Sequence, residues 1–161
     1  FGTYFREIWT SSIISHDLDP KRFQGGTRAL ASSIYNLYAR DLSNEGPDQA
    51  GFPLHMLQSD ETWDYYDGDG AISLFEFDLR SSSIRVVEIG RAASPHYTVP
   101  ANTWVGALLS NGTTWALTGS TNVPAFDPRD SKMAADNVTL VKKLLRQFPS
   151  HEALIRRLTS F

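Results

Sequence analysis

The sequence predicts a mostly β domain finished by two C-terminal helices, and three observations carry that prediction. Short stretches alternate apolar and polar residues, turn-forming Gly, Asn and Asp residues punctuate them, and beyond residue 136 the apolar residues recur at helical spacing. Many short strands at such intervals suit an all-β sandwich or barrel.

Taken in order, the strand-like stretches are TYFREIW (3–9), ASSIYNLYA (31–39), LHML (54–57), TWDYYD (62–67) and ISLFEFDL (72–79). IRVVEIG (84–90), HYTVP (96–100), WVGALL (104–109) and WALTGST (115–121) complete the set. The turns Asp67-Gly68-Asp69-Gly70 and Ser110-Asn111-Gly112 read as hairpin ends. Two polar stretches, 17–26 and RDLSNEGPDQAGF at 40–52, read as surface loops. A first helix is predicted through VTLVKKLLRQF behind an Asp136 or Asn137 N-cap, and a second from Ser150 through EALIRRL. No repeat or second domain is evident, so one domain is expected over 1–161, with the barrel at about 1–127 and the helices at about 136–159.

Composition narrows the function classes. A chain of 161 residues with 41% hydrophobic and 20% charged residues has ordinary globular usage. A net charge of -3 without a dense basic run argues against nucleic acid or an anionic membrane as partner. The one basic cluster, KKLLR at 142–146, fits the solvated face of an amphipathic helix. With no Cys there is neither a disulfide framework nor a thiol nucleophile. No apolar run reaches membrane-spanning length, and the chain starts in a strand-like segment rather than a signal peptide. A cytoplasmic location is therefore expected, with the sequons at Asn111 and Asn137 read as chance.

The segment GFPLHMLQSDETWDYYDG at 51–68 concentrates the chemistry, because it sets His55 and Glu61 on facing strands ahead of a Gly-closed turn. It resembles the first motif of the cupins, His-x-His, three or four residues, Glu, six residues, Gly, with Leu57 in place of the second His. GTYFREIWTS (2–11), SSIYNLY (32–38), LHMLQSDETWDYYDGD (54–69), TVPANTWVGA (98–107), VPAFD (123–127) and FPSHEALIRRLT (148–159) resemble successive segments of one family. On these the chain is identified as a member of the Cupin_5 (DUF985) family of RmlC-like cupins. The resemblance implies a single-domain jelly-roll barrel with two C-terminal helices, and a homodimer.

It also implies where a metal would sit, and there the chain departs from the pattern. Cupin metal sites use imidazole and carboxylate donors. His55 and Glu61 match the first and third ligand positions, whereas Leu57 and Val105 fall at the second and fourth. Members of the family commonly carry His and Gln where this chain has Asp64 and Val105. Alternation sets Asp64 on the face opposite Glu61, and nothing in the spacing demands His96 as a ligand. No metal or other cofactor is expected.

Some RmlC-like barrels work without metal, using a His held by a carboxylate as base and a Tyr as acid. This layout is similar, with His55 as base, Glu61 as its orienting partner, and Tyr35 or Tyr65 as acid. A metal-independent isomerase, cyclase or lyase acting on a small molecule of hydrophobic or aromatic character is the first expectation. A non-catalytic binding cupin and a metal-dependent oxygenase or isomerase are the alternatives. Tyr4, Arg6, Leu57, Trp63, Trp104 and Val105 are the candidate ligand contacts. Arg6 either grips an oxyanion of the ligand or pairs internally with Glu61, Glu76 or Glu88. The run from Tyr65 to Glu76 matches part of a calcium loop through Asp67, Asp69, Gly70 and Glu76. It lacks the first carboxylate and the flanking helices, so it reads as a turn.

Overall fold

The computed structural model describes residues 3–40 and 50–160. Twelve strands follow one another: β1 (Thr3–Thr10), β2 (Ile14–Ser15), β3 (Arg28–Ala29), β4 (Ser32–Ala39), β5 (Gly51–Leu57) and β6 (Asp60–Gly68), then β7 (Ala71–Asp78), β8 (Ser83–Gly90), β9 (His96–Val99), β10 (Trp104–Leu109), β11 (Trp115–Val123) and β12 (Ser131–Met133). Helices α1 (Val138–Gln147) and α2 (Glu152–Leu158) close the chain, and the Asn137 side chain caps α1 through the Leu140 N–H.

Two five-stranded antiparallel sheets face each other. The first has the order β1-β4-β11-β6-β9 and the second β12-β5-β10-β7-β8, with β2 and β3 forming a small separate ribbon. The strands make a flattened double-sheet jelly roll rather than one continuously hydrogen-bonded barrel. All nine strand-like stretches form strands. The short β2, β3 and β12 were not predicted, because two or three residues give no measurable alternation. Of the expected loop at 40–52, positions 41–49 lie outside the described residues.

The expected hairpin ends are corrected. β6 pairs with β11 and β9, while β7 pairs with β10 and β8, so Asp67–Gly70 crosses from one sheet to the other, as does Ser110–Gly112. Asp69 ties the two crossovers together by accepting from the Thr114 and Trp115 N–H groups and the Thr114 hydroxyl. Gly68 belongs here for space, since a Cβ would lie 2.7 Å from both the Trp115 carbonyl oxygen and the Tyr65 hydroxyl.

Strand alternation divides the apolar residues between two cores. Between the sheets lie Tyr38, Trp63, Ile72, Leu74, Ile89 and Val105. On the far side of the second sheet, Leu54, Phe77 and Leu108 pack against Leu144, Phe148, Ile155 and Leu158 of the helical segment. A Cβ at Gly106 would come 2.8 Å from Leu158, so the missing side chain lets α2 sit down on β10. Among the described residues, no helix is long and apolar enough to cross a membrane.

A buried ion pair fastens the β3 ribbon to the segment behind β11. Arg28, 5% exposed, donates to both oxygens of Asp130, 6% exposed, at 2.7 Å each. Removing one partner of such a pair strands the other charge. Asp130→Ala is therefore expected to lower unfolding stability by about 3 kcal/mol in urea titrations. A loss below ~1 kcal/mol would mean that Asp127, 3.5 Å from the guanidinium, takes over the pairing.

Candidate functional site

Register assembles the site. Val105 of β10 lies opposite His55 of β5 on one side and Glu76 of β7 on the other, and Glu76 lies opposite Arg85 of β8. Directly opposed residues share a face, so His55, Val105, Glu76 and Arg85 form one row across the second sheet. Glu61, Trp63 and Tyr97 of the first sheet project toward the same interior.

At one end of this row stands a closed pair. His55 and Glu61 are 2% and 7% exposed, and His55 Nε2 lies 3.3 Å from Glu61 Oε2. The Pro53 carbonyl, 2.9 Å from Nδ1, can only accept, so Nδ1 carries a proton. Ser120 donates to the other Glu61 oxygen at 2.8 Å. Burial alone would push His55 down and Glu61 up. The hydrogen bond and attraction between them outweigh it, leaving His55 above 6.5 and Glu61 below 4.5. Both ring nitrogens thus face acceptors, the Pro53 carbonyl at Nδ1 and the Glu61 carboxyl at Nε2, an arrangement that favours the protonated ring and the ionised carboxylate. Leu57, Val99, Pro100, Thr103 and Val105 close around it with no room for even a water molecule.

Beyond Val105 lies an open pair. Glu76, 8% exposed, accepts from the Tyr97 hydroxyl at 2.9 Å and stands 3.9 Å from Arg85. The Arg85 guanidinium lies 5.3 Å from the Tyr97 ring centre. Burial, reinforced by the Glu76 carboxylate, holds the phenol above its ordinary 10.0 and therefore protonated. Glu76 and Arg85 line a cleft of about 680 Å³ with Arg80, Asn102, Thr103 and Trp104. Its size is that of a small-molecule site. Thr103 borders both this cleft and the closed space around His55.

The sequence candidates divide by strand alternation. His55, Glu61, Leu57, Val105, Trp63 and Tyr65 face the interior. Trp63 is 1% exposed and stacks on Tyr38, a core role. Tyr65 points toward Gly68, and burial raises its phenol. Tyr35 faces the other way, 43% exposed and edge-on to Tyr66, so it is not brought together with His55. Tyr4 and Arg6 lie on β1, where every residue after Thr3 is exposed, and do not reach the interior. Glu61, Glu76 and Glu88 are engaged instead by His55, by Tyr97 with Arg85, and by Ser73 with Ser110. Trp104 starts β10 and forms part of the cleft wall.

Arg85 and Tyr97 were not singled out from the sequence, and Glu76 was weighed only as a calcium ligand or an ion-pair partner. One signal was available. In AISLFEFD, Glu76 continues the buried face of Ile72 and Leu74, so a carboxylate sits where alternation demands an apolar residue.

The donors at the cupin metal positions do not fit a metal ion. Leu57 and Val105 have no donor atoms, and His55 Nε2 is turned to Glu61 in a closed space. Among the described residues no three His, Cys, Asp or Glu gather in a metal-binding group. His96 is on the outer face, with Nδ1 2.6 Å from Asp64. Asp67 and Asp69, from the calcium-like run, bond to Arg91 and to the Thr114 crossover.

Comparison with known proteins supports the fold. The Cupin_5 family, described as cupin superfamily (DUF985), matches residues 1–134. A hypothetical protein from Leishmania major superposes with a TM-score of 0.71 at 24% identity, covering 97% of this chain and 88% of that one. A protein from Shewanella oneidensis gives 0.70 at 21% identity, covering 96% and 85%. Oxalate decarboxylase from Bacillus subtilis gives 0.57 at 13% identity, covering 98% of this chain but 35% of that one. Among curated proteins none matches.

The closed pair has a defined pH signature. Glu61, held below 4.5, stabilises the fold above that pH and loses its contribution as pH falls through its lowered value. His55, held above 6.5, stabilises below that pH and loses its contribution as pH rises through its raised value. The stability difference between the wild type and Glu61→Gln is therefore expected to be greatest between pH 4.5 and 6.5 and to shrink on both sides. Urea midpoints across the pH range measure it, and a pH-independent difference would contradict the ion pair.

Proposed function

Because the chain belongs to the Cupin_5 family of the cupin superfamily, we propose that it acts on a small organic anion at the open end of the jelly roll. The reaction is metal-independent proton transfer of the isomerase, cyclase or lyase type. One observation carries this reading: a buried carboxylate and a guanidinium line a cleft of about 680 Å³, and a protonated phenol donates to that carboxylate. Arg85 holds a carboxylate or enolate oxygen of the substrate. Glu76 accepts the proton leaving carbon, and Tyr97 supplies one to the new position. Roles pass to Glu76 because it lines open space and to Tyr97 because it is hydrogen-bonded to that carboxylate, whereas His55 is enclosed.

A binding protein without turnover is the second reading, favoured by the tight packing around His55 and Glu61. Incubation with a panel of small hydroxy and oxo acids in heavy water separates the two readings, with proton NMR following loss of the C–H signal. Exchange with at least one acid is expected, falling about 100-fold in Tyr97→Phe and Glu76→Gln. Exchange at the wild-type rate in both variants would sink the assignment, and saturable binding of an acid recovered unchanged would favour the binder.

The expected homodimer also finds support. Arg6, Tyr35, Gly119, Asp64 and His96 form one row across the outer face of the first sheet, with a cation at one end and a carboxylate toward the other. Exposed Tyr4, Tyr35 and Tyr66 supply apolar area between or beside them. A twofold-related copy would set Arg6 against the partner's Asp64 twice. Arg6→Asp is expected to shift the chain toward monomer in analytical ultracentrifugation, and adding Asp64→Arg to restore the dimer. Unchanged mass in Arg6→Asp would reject this face.

A further inference from the structure

A second cleft, of about 570 Å³, opens behind Trp104, on the side away from Glu76 and Arg85. Trp104 and Phe126 supply aromatic walls, Pro128 and Met133 add apolar surface, and Lys132 and Asp136 line the same space. Each wall is held in place. Lys132 and Met133 belong to β12, which pairs with β5, and Trp104 packs against the core under the helices. Asp136 directly precedes the capping residue Asn137.

Two features identify the ligand class. Phe126 is 50% exposed and offers its ring to this cleft opposite Trp104. Lys132 and Asp136 carry opposite charges into one cleft, yet neither has an ion-pair or hydrogen-bond partner through its side chain among the described residues. A ligand complementary to these walls has an aromatic ring for Trp104 and Phe126, a carboxylate for Lys132 and an ammonium for Asp136. We propose that this cleft binds an aromatic zwitterion, the chemistry of an aromatic amino acid. The volume suits one small molecule rather than a docked protein segment. The site shares Trp104 with the Glu76 cleft but uses none of its charged groups.

Isothermal titration with L-phenylalanine tests it, with phenethylamine and 3-phenylpropionate as probes that lack the carboxylate or the ammonium. Saturable binding of phenylalanine is expected, about tenfold tighter than either probe. Lys132→Ala should abolish the preference over phenethylamine, and Asp136→Asn the preference over 3-phenylpropionate. Phe126→Ala should weaken all three, while Glu76→Gln leaves them unchanged. These side chains are solvent-facing, so circular dichroism is expected to match the wild type. Absence of saturable heat, or affinities unaltered in Lys132→Ala and Phe126→Ala, would overturn the proposal.

Discussion

The structure depends on one interaction across its interior, the pairing of His55 on the second sheet with Glu61 on the first. Only the Gln58-Ser59 connection separates β5 from β6, yet the two strands belong to different sheets. The pair therefore ties the sheets where the chain crosses between them. Ser120 and the Pro53 carbonyl satisfy the remaining hydrogen-bonding groups, which is what makes two buried charges tolerable. The same completeness takes the imidazole away from ligands, because both ring nitrogens face protein acceptors in a closed space.

Val105 connects this tie to the open end of the molecule. It occupies the place in the row where the resemblance implies a fourth metal ligand, and an apolar side chain there divides the interior in two. On one side the charges are closed off, while on the other Glu76, bonded to Tyr97, and Arg85 meet the cleft. With no donors at Leu57 and Val105, the polar groups that meet open space lie two and three strands from β5, on β7 and β8. Such a placement keeps the jelly roll and changes what its mouth can do.

Much of the fold was legible because period-two alternation is a local property. TYFREIW, SSIYNLY and ISLFEFDL each announce a strand without reference to any other segment. The facing of His55 and Glu61 was legible for a related reason, since a short connection leaves few ways to place two strands. What the sequence did not disclose was pairing. Asp67–Gly70 looks like a hairpin because Asp-Gly turns serve hairpins and sheet-to-sheet crossovers alike, and only the partners of β6 and β7 distinguish them. Tyr35 failed to join His55 for the same reason: its strand was clear, but not which of its faces turned inward. Glu76 and Tyr97 are 21 residues apart and touch only through the packing of two sheets, so no spacing rule could have joined them.

The most direct test is nitrogen NMR of the His55 side chain, assigned by comparison with His55→Ala and followed through neutral pH. Two protonated ring nitrogens at pH 7, unaffected by added divalent metal, are predicted. A neutral ring with one unprotonated nitrogen, shifting on metal addition, would contradict the account and return His55 to the chemistry.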